Sequence, residues 1–595
     1  MRARTIQQLV ASTLIPALLA GCGAAPSAPM APEAPSDYQG GAVAREESAP
    51  MSDAQAEPML AESSAPMEES APAPMAAGAA PQRSQPAPPP PPPPPPLQQP
   101  VAKPKKEAEA KLAAATPPAQ PAVAVATPTP EPSGTEQYTD HGINPFTDPA
   151  KDRLSTFAID VDTASYTISR RKITEGSLPP FQAVRAEEFL NYFDYGYAAP
   201  KTGPFAVHLA AAPSPYAAGR HLVRVAVQGK RVSAAERKPV HLVYLVDTSG
   251  SMQAEDKMGL VKKSLRLLTD ALKKGDTVAL CTYAGSVREV LPPTGVDKKD
   301  VILRAIEDLS AGGSTAMSSG IDLAYNLAAR TLVPGHVNRV MVLSDGDANV
   351  GPTSHQEILK TIKGARDKGI TLSTIGYGMG NYKDTMMERL ANEGNGNYYY
   401  IDNDAQARRV FSQQVDGTLE VIARDVKIQV EFDPEVVKTY RLIGYENRDI
   451  ADKDFRNDKV DAGEIGSGHS VTAFYEVELK TTKGPTSTKV PVVVRLRHKA
   501  PLGPDKADET LVRMEPGTIA STFDAAPADF RFGAAVVGFA EILRQSPHAR
   551  GWKLADVERI ARGAASQNGD QQEFISLARR AGALSAGKAD AAVAK

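Results

Sequence analysis

The chain has 595 residues, with 67 Lys and Arg against 70 Asp and Glu, a formal net charge of −3. That balance lacks the electrostatic footprint of a nucleic-acid binder, and short basic pieces such as Arg170-Arg171-Lys172 read as solvated surface. With only two cysteines, Cys22 and Cys281, the fold has to rest on packing rather than on a disulfide framework.

The first element is a secretion signal over residues 1–22. Arg2 and Arg4 form its charged end, and Leu9 to Ala20 is mostly apolar yet too short to span a bilayer. It closes with Leu19-Ala20-Gly21-Cys22, which resembles a bacterial lipobox. That resemblance implies a lipidated Cys22 and a mature protein anchored to a membrane rather than spanning it. Gly23 stands where enteric bacteria place an Asp to retain lipoproteins at the inner membrane. The expected location is therefore the outer membrane of a Gram-negative envelope, on its periplasmic or its surface face.

Residues 23–135 are rich in Ala, Pro, Ser and Glu, with an unbroken proline run from Pro88 to Pro96. Their apolar content is too small to offset the entropy of ordering, so a disordered tether with a polyproline II stretch is expected. A ligand for a proline-binding partner is the alternative reading of that run.

The folded part divides by pattern into a domain with β-strands over 136–237, an α/β domain over 238–420, and a β and helical domain over 421–595. In the first, Asp162 reads as a helix cap before Thr163-Ala164-Ser165-Tyr166. Asp160 is expected to pair with a cation such as Arg170 or Arg171, although Asp160, Asp162 and Ser165 together could also hold a metal. Glu187-Glu188 reads as the exposed face of a helix rather than an acid/base pair. Strands are expected at Phe205 to Leu209 and Leu222 to Val227.

From Lys238 to about Glu420, short apolar strands alternate with amphipathic helices, which predicts a largely parallel sheet covered on both faces. Met258, Val261, Leu265, Leu268 and Leu272 form one apolar stripe at helical spacing. Cys281, inside a likewise apolar strand, reads as a packed small residue rather than a reactive thiol. The strand Val240 to Val246 runs straight into Asp247-Thr248-Ser249-Gly250-Ser251-Met252. A carboxylate at a strand end, followed by hydroxyls at alternate positions on a tight turn, is a cradle for a hard divalent cation that takes oxygen ligands. Gly250 is expected to let the backbone turn without a Cβ clash. Gly312-Gly313-Ser314-Thr315 offers a further hydroxyl on a Gly-rich loop, and Ser344-Asp345-Gly346 a second carboxylate after the strand Arg339 to Leu343. Taken alone, Asp247 and Ser249 could simply cap a helix.

In order and context, these three segments resemble the metal ion-dependent adhesion site of von Willebrand factor A domains. The resemblance implies that Ser249, Ser251 and Thr315 touch the ion and that Asp247 and Asp345 bind it directly or through water. It implies Mg²⁺, or Mn²⁺ or Ca²⁺, with a sixth position left for a ligand carboxylate. Ligands on such sheets bind outside the carboxyl ends of the strands, where Asp247 and Asp345 both fall.

Past the α/β region the pattern returns to strands at Val426 to Phe432, Val471 to Leu479 and Val490 to Leu496. These are expected to pair with the strands at 205–228 in a β-sandwich that carries the α/β domain as an insertion, the alternative being two small β units. A helical segment follows over 528–583, with Phe532, Val536, Phe539, Ile542 and Leu543 on one face. Ser155 to Tyr166, Leu178-Pro179-Pro180, Val184 to Phe193, Tyr440 to Arg448 and Asp461 to Gly466 resemble bacterial YfbK-like von Willebrand factor A lipoproteins, over about residues 136–585.

The leading functional expectation is an anchored binding module whose metal takes a carboxylate from a protein partner. A structural envelope-assembly protein with a merely bracing metal is the second reading. A metal-assisted hydrolase is the third, disfavoured because the nine His are scattered and no His-Glu-x-x-His helix, Gly-x-Ser-x-Gly elbow or Walker A loop occurs.

Overall fold

The structure is a computed structural model that describes residues 136–593, apart from residues 234, 314–315, 347–351, 381, 481–490, 502–505 and 516–517. The signal, Cys22, the proline-rich tether and Thr315 therefore lie outside the described residues. In chain order come β1 (Leu154–Ala158), α1 (Ala164–Thr174), α2 (Ala186–Tyr192), β2 (Phe205–Pro213) and β3 (Arg220–Gly229). The α/β unit follows: β4 (Val240–Asp247), α3 (Leu260–Ala271), β5 (Thr277–Tyr283), β6 (Val287–Gly295), α4 (Lys299–Glu307), α5 (Met317–Arg330), β7 (Val337–Ser344), α6 (Pro352–Arg366), β8 (Ile370–Tyr377), α7 (Asp384–Glu393), β9 (Tyr398–Ile401), α8 (Asp404–Arg408) and α9 (Val415–Leu419). The chain ends in β10 (Val421–Phe432), β11 (Val437–Ile443), β12 (Gly463–Gly466), β13 (Ser470–Leu479), β14 (Val492–Lys499), β15 (Ala507–Arg513), α10 (Ala528–Leu543), α11 (Leu554–Ala564) and α12 (Gly569–Val593). Among the described residues no helix is long and apolar enough to cross a membrane.

The α/β unit is a six-stranded sheet in the order β6-β5-β4-β7-β8-β9. β4 is apolar on both faces because both are covered. Leu242, Tyr244 and Val246 pack with Val261, Leu265 and Leu268 of α3, while Val243 and Leu245 pack with Ile321, Ile358 and Ile362 of α5 and α6. All five residues of the predicted α3 stripe lie in that first core. Cys281 is buried in the second, and burial pushes its thiol up to about 12. β5, β4, β7, β8 and β9 run parallel to one another, and β6 pairs antiparallel with β5. β6 carries Pro292 and Pro293 and buries only Leu291, so it lacks the apolar run that marks the other strands; prolines are tolerated there because the strand is an edge.

The flanking strands form a β-sandwich. One sheet has the order β1-β10-β14-β15, with β12 added to β10, and the other β11-β13-β3-β2. β3 pairs antiparallel with β13 from Arg220↔Glu478 to Gln228↔Ser470, so strands from before and after the α/β unit share a sheet. The two inner faces form one core, in which Ile428, Val430 and Leu496 meet Val223, Val225, Ala473 and Tyr475. Phe474, on the opposite face of β13, packs instead against α10, consistent with the two-residue period of a strand. α10 is buried nearly all round, and its Phe532 and Phe539 join Phe193 and Phe574 in an aromatic cluster.

Three polar expectations are corrected. Asp162 does not cap α1, because Thr163 is the cap residue; the Asp162 carboxylate accepts the backbone N–H of Tyr398 at 2.8 Å and pairs with Arg448 at 3.2 Å. Asp160 pairs with Arg448 at 3.1 Å rather than with Arg170, which binds Asp402 at 2.5 Å, or Arg171. Glu187 and Glu188 are buried, not exposed. Glu188 accepts the N–H of Ser165 and pairs with Arg185, which also grips Asp384 of α7 at 2.6 Å. Glu187 accepts the N–H of Tyr445 at 2.9 Å.

Burial, then the nearby Glu446, pushes Glu187 from 4.5 up to about 7. A carboxyl raised in this way stabilises the fold below its unfolded value, and that contribution is lost as pH rises through about 7. Thermal unfolding of the wild type and Glu187→Gln at about pH 5 and about pH 8 is expected to move the difference toward the variant at the higher pH, by on the order of 1–3 kcal/mol.

Candidate metal centre

The parallel register sets the site. Asp247 is paired with Tyr283 at the end of β5, and Val246 with Leu343 in β7, so Asp247 arrives beside Ser344 and Asp345. The order of the sheet reverses here, since the chain leaves β4 for β5 on one side and returns to β7 on the other. Such a reversal leaves a crevice outside the strand ends.

Asp247 and Asp345 are each 0% exposed, and Ser249 is buried, while Ser251 is half-buried and Gly250 exposed. The site therefore opens to solvent at the turn. That turn is held by the Gly-rich loop: Gly312 N–H donates to Thr248 O at 2.7 Å, and Gly250 N–H to Gly313 O at 3.0 Å. The expectation for Gly250 is corrected. It has no positive φ, and a Cβ there would meet Gly313 O at an ordinary 3.5 Å; the glycine the geometry requires is Gly313, at φ +100°. The described part of the loop thus lies against the site, and Thr315 lies outside the described residues.

Asp247 Oδ1 accepts Ser249 N–H at 2.9 Å. Its Oδ2 accepts the Tyr283 hydroxyl at 3.1 Å and the Ser344 hydroxyl at 2.9 Å. Burial raises the Asp247 carboxyl, the hydrogen bonds from Ser249 oppose the rise, and the Asp345 charge adds to it. Asp345 Oδ2 lies 2.9 Å from Lys257 Nζ. Two buried carboxylates side by side favour an added cation.

The donors fit a hard divalent ion. Ser249 Oγ and Ser251 Oγ are 3.0 Å apart. Two adjacent ligands of a Mg²⁺ octahedron with bonds of about 2.1 Å are also about 3.0 Å apart. Asp247 already spends both oxygens on fixed donors, which suits binding through water and orients the carboxylate. Among the described residues no cluster of three or more His, Cys, Asp or Glu could hold a metal. The candidate centre has two carboxylates and draws its other donors from hydroxyls. The structure brings Asp247, Ser249, Ser251 and Asp345 to one strand-end crevice. It adds Tyr283, Ser344 and Lys257, which sequence reasoning gave no role. Tyr283 was signalled only by ending the strand next to β4, and Ser344 only by preceding Asp345.

The family models agree with this architecture. The family model of the von Willebrand factor type A domain matches residues 241–414. One described as von Willebrand factor matches residues 132–224, and one described as uncharacterized protein YfbK, C-terminal, residues 417–584. Uncharacterized protein YfbK of Escherichia coli K12 is 37% identical over 469 residues, which is 75% of this chain and 80% of that protein. Uncharacterized protein sll0103 of Synechocystis is 27% identical over 232 residues, 38% of this chain and 54% of that protein. Among solved structures, a von Willebrand factor type A protein from Catenulispora acidiphila matches with a TM-score of 0.38 and 17% identity, over 57% of this chain and 79% of that one. None of these relatives carries the name of an enzyme.

The Ser344 hydroxyl donates to Asp247 Oδ2, so in the candidate centre its part would be to orient that carboxylate. Ser344→Ala is expected to weaken Mn²⁺ binding by about 10- to 100-fold, as loss of an orienting partner of a metal-binding group does, with circular dichroism unchanged. Equal Mn²⁺ titrations of the two proteins would remove Ser344 from the site.

Proposed function

The chain belongs to the YfbK-like family of von Willebrand factor type A proteins, and from that premise we propose that it is an envelope-anchored binding protein whose α/β domain holds a divalent cation and uses it to capture an acidic group on a protein partner. A von Willebrand factor type A domain is a protein-interaction module, and such domains often bind a divalent metal. The finer reading rests on one observation: Asp247, Ser249, Ser251 and Asp345 converge at the carboxyl ends of β4 and β7 beside a turn open to solvent. An ion held largely by neutral hydroxyls keeps much of its charge, so a carboxylate from outside is a natural last ligand. No bond is made or broken; binding is coordination plus the surrounding contacts. The Leu19-Ala20-Gly21-Cys22 sequence supports a lipid anchor at Cys22 and placement in a Gram-negative envelope, at the outer membrane.

The full burial of Asp247 and Asp345 also suits a second reading, in which the ion only braces the strand ends. Calorimetry on the purified protein separates metal binding from its absence. The wild type is expected to take up about one Mg²⁺ or Mn²⁺ per chain, and Asp247→Ala none while remaining folded. Equal uptake by the two proteins contradicts the assignment. Capture of crosslinked partners with and without a chelator then separates the readings. Release of a specific partner on chelation supports binding through the ion, whereas unchanged capture with a lowered melting temperature supports the brace.

A further inference from the structure

Lys257 is built into the metal centre. It sits on a one-turn π segment, Glu255–Gly259, between the Asp247 turn and α3, and it is only 8% exposed. π turns of this kind recur at functional sites. Its Nζ lies 2.9 Å from Asp345 Oδ2. The stem crosses the backbone of Gly378, just past β8: a Cβ at Gly378 would fall 2.2 Å from Lys257 Cε and 2.7 Å from its Cγ. A side chain at Gly378 would block that path, although its φ of +71° already favours glycine there.

The walls of the path are held from outside the α/β unit. Arg171 of α1 pairs with Asp256, next to Lys257, at 2.6 Å. Its other nitrogen donates to the Tyr400 hydroxyl at 3.2 Å, and that hydroxyl donates to Gly378 O at 2.6 Å. A buried lysine with a glycine channel, a π turn and a braced neighbour is not a surface side chain folded down by chance.

The consequence is electrostatic. Asp247 and Asp345 contribute two negative charges and Lys257 one positive charge, a net of −1 before any cation and +1 with a divalent ion. Without Lys257 the same counts are −2 and 0. A carboxylate has two oxygens and about four lone-pair sites, so Asp345 can hold Lys257 and still face an ion or its water. Resting on the metal reading above, we propose that Lys257 sets the charge of the centre, lowering its affinity for the cation and raising the affinity of the loaded centre for an anionic ligand. An acidic partner then arrives at a net positive site rather than a neutral one.

The test uses the intact protein with Mn²⁺ as the cation and acetate as the anionic probe. Calorimetry reads the Mn²⁺ affinity, and water-proton relaxation of the Mn²⁺-loaded protein reads the displacement of metal-bound water by acetate. Lys257→Met is expected to tighten Mn²⁺ by at least about fivefold and to weaken acetate by at least about fivefold, the scale of one unit charge at about 4 Å even with water-like screening. Lys257→Gln, which keeps a hydrogen-bond donor for Asp345, guards against loss of fold and is expected to move both affinities the same way as Lys257→Met. Opposite movements of the two affinities support the proposal; no change, or weakening of both, overturns it and leaves Lys257 a structural prop. A wild type that binds no Mn²⁺ overturns the underlying metal reading instead.

Discussion

One constraint underlies the candidate site: the parallel register of β4 against β7. That register sets Val246 beside Leu343 and so delivers Asp247 and the Ser344-Asp345 pair to the same strand-end crevice. Each carboxylate is buried, and each would be costly there without compensation. The compensation is specific: Asp247 accepts donors from Ser249, Ser344 and Tyr283, and Asp345 accepts Lys257. A slip of one residue in this register would turn every side chain of β4 to the other face and scatter the donors.

The flanks do more than carry the α/β unit. Arg185 of the segment before α2 binds Asp384 of α7, Arg170 of α1 binds Asp402 after β9, and Asp162 takes the first N–H of β9. Buried contacts of this kind add little net stability, but removing one partner leaves a charge stranded, so they fix geometry strongly. The same helix α1 reaches the candidate metal centre through Arg171, Asp256 and Tyr400. The sandwich and the α/β unit are thereby joined by ion pairs and hydrogen bonds as well as by chain connections.

Much of this was legible in the sequence where the signal is local. The strands with continuous apolar runs and the α3 stripe declare themselves through composition and a spacing of three to four residues, whereas Asp345 is linked to Asp247, Ser249 and Ser251 in the sequence only through the resemblance to the von Willebrand factor A motif. That the strands at 205–228 share a sandwich with strands past the α/β unit is suggested by the β pattern on both sides of it, but that β3 pairs with β13 in particular is shown only by the structure. What stayed hidden depends on contacts far apart in the chain. Glu187-Glu188 looks like any exposed helical pair until Tyr445 and Arg185 are placed beside it, and Asp160 finds its cation in Arg448, 288 residues away. β6 is masked by its own prolines and exposure. Lys257 gives no sign, because a lysine on a turn before a helix is ordinarily solvated.

Diffraction from crystals soaked in Mn²⁺, recorded at the metal absorption edge, tests whether hydroxyls and carboxylates from separate loops share one ion. A single anomalous peak within bonding distance of Ser249 Oγ and Ser251 Oγ, on the side facing Asp345, is expected. A peak elsewhere, or none at that crevice under saturating Mn²⁺, would contradict it.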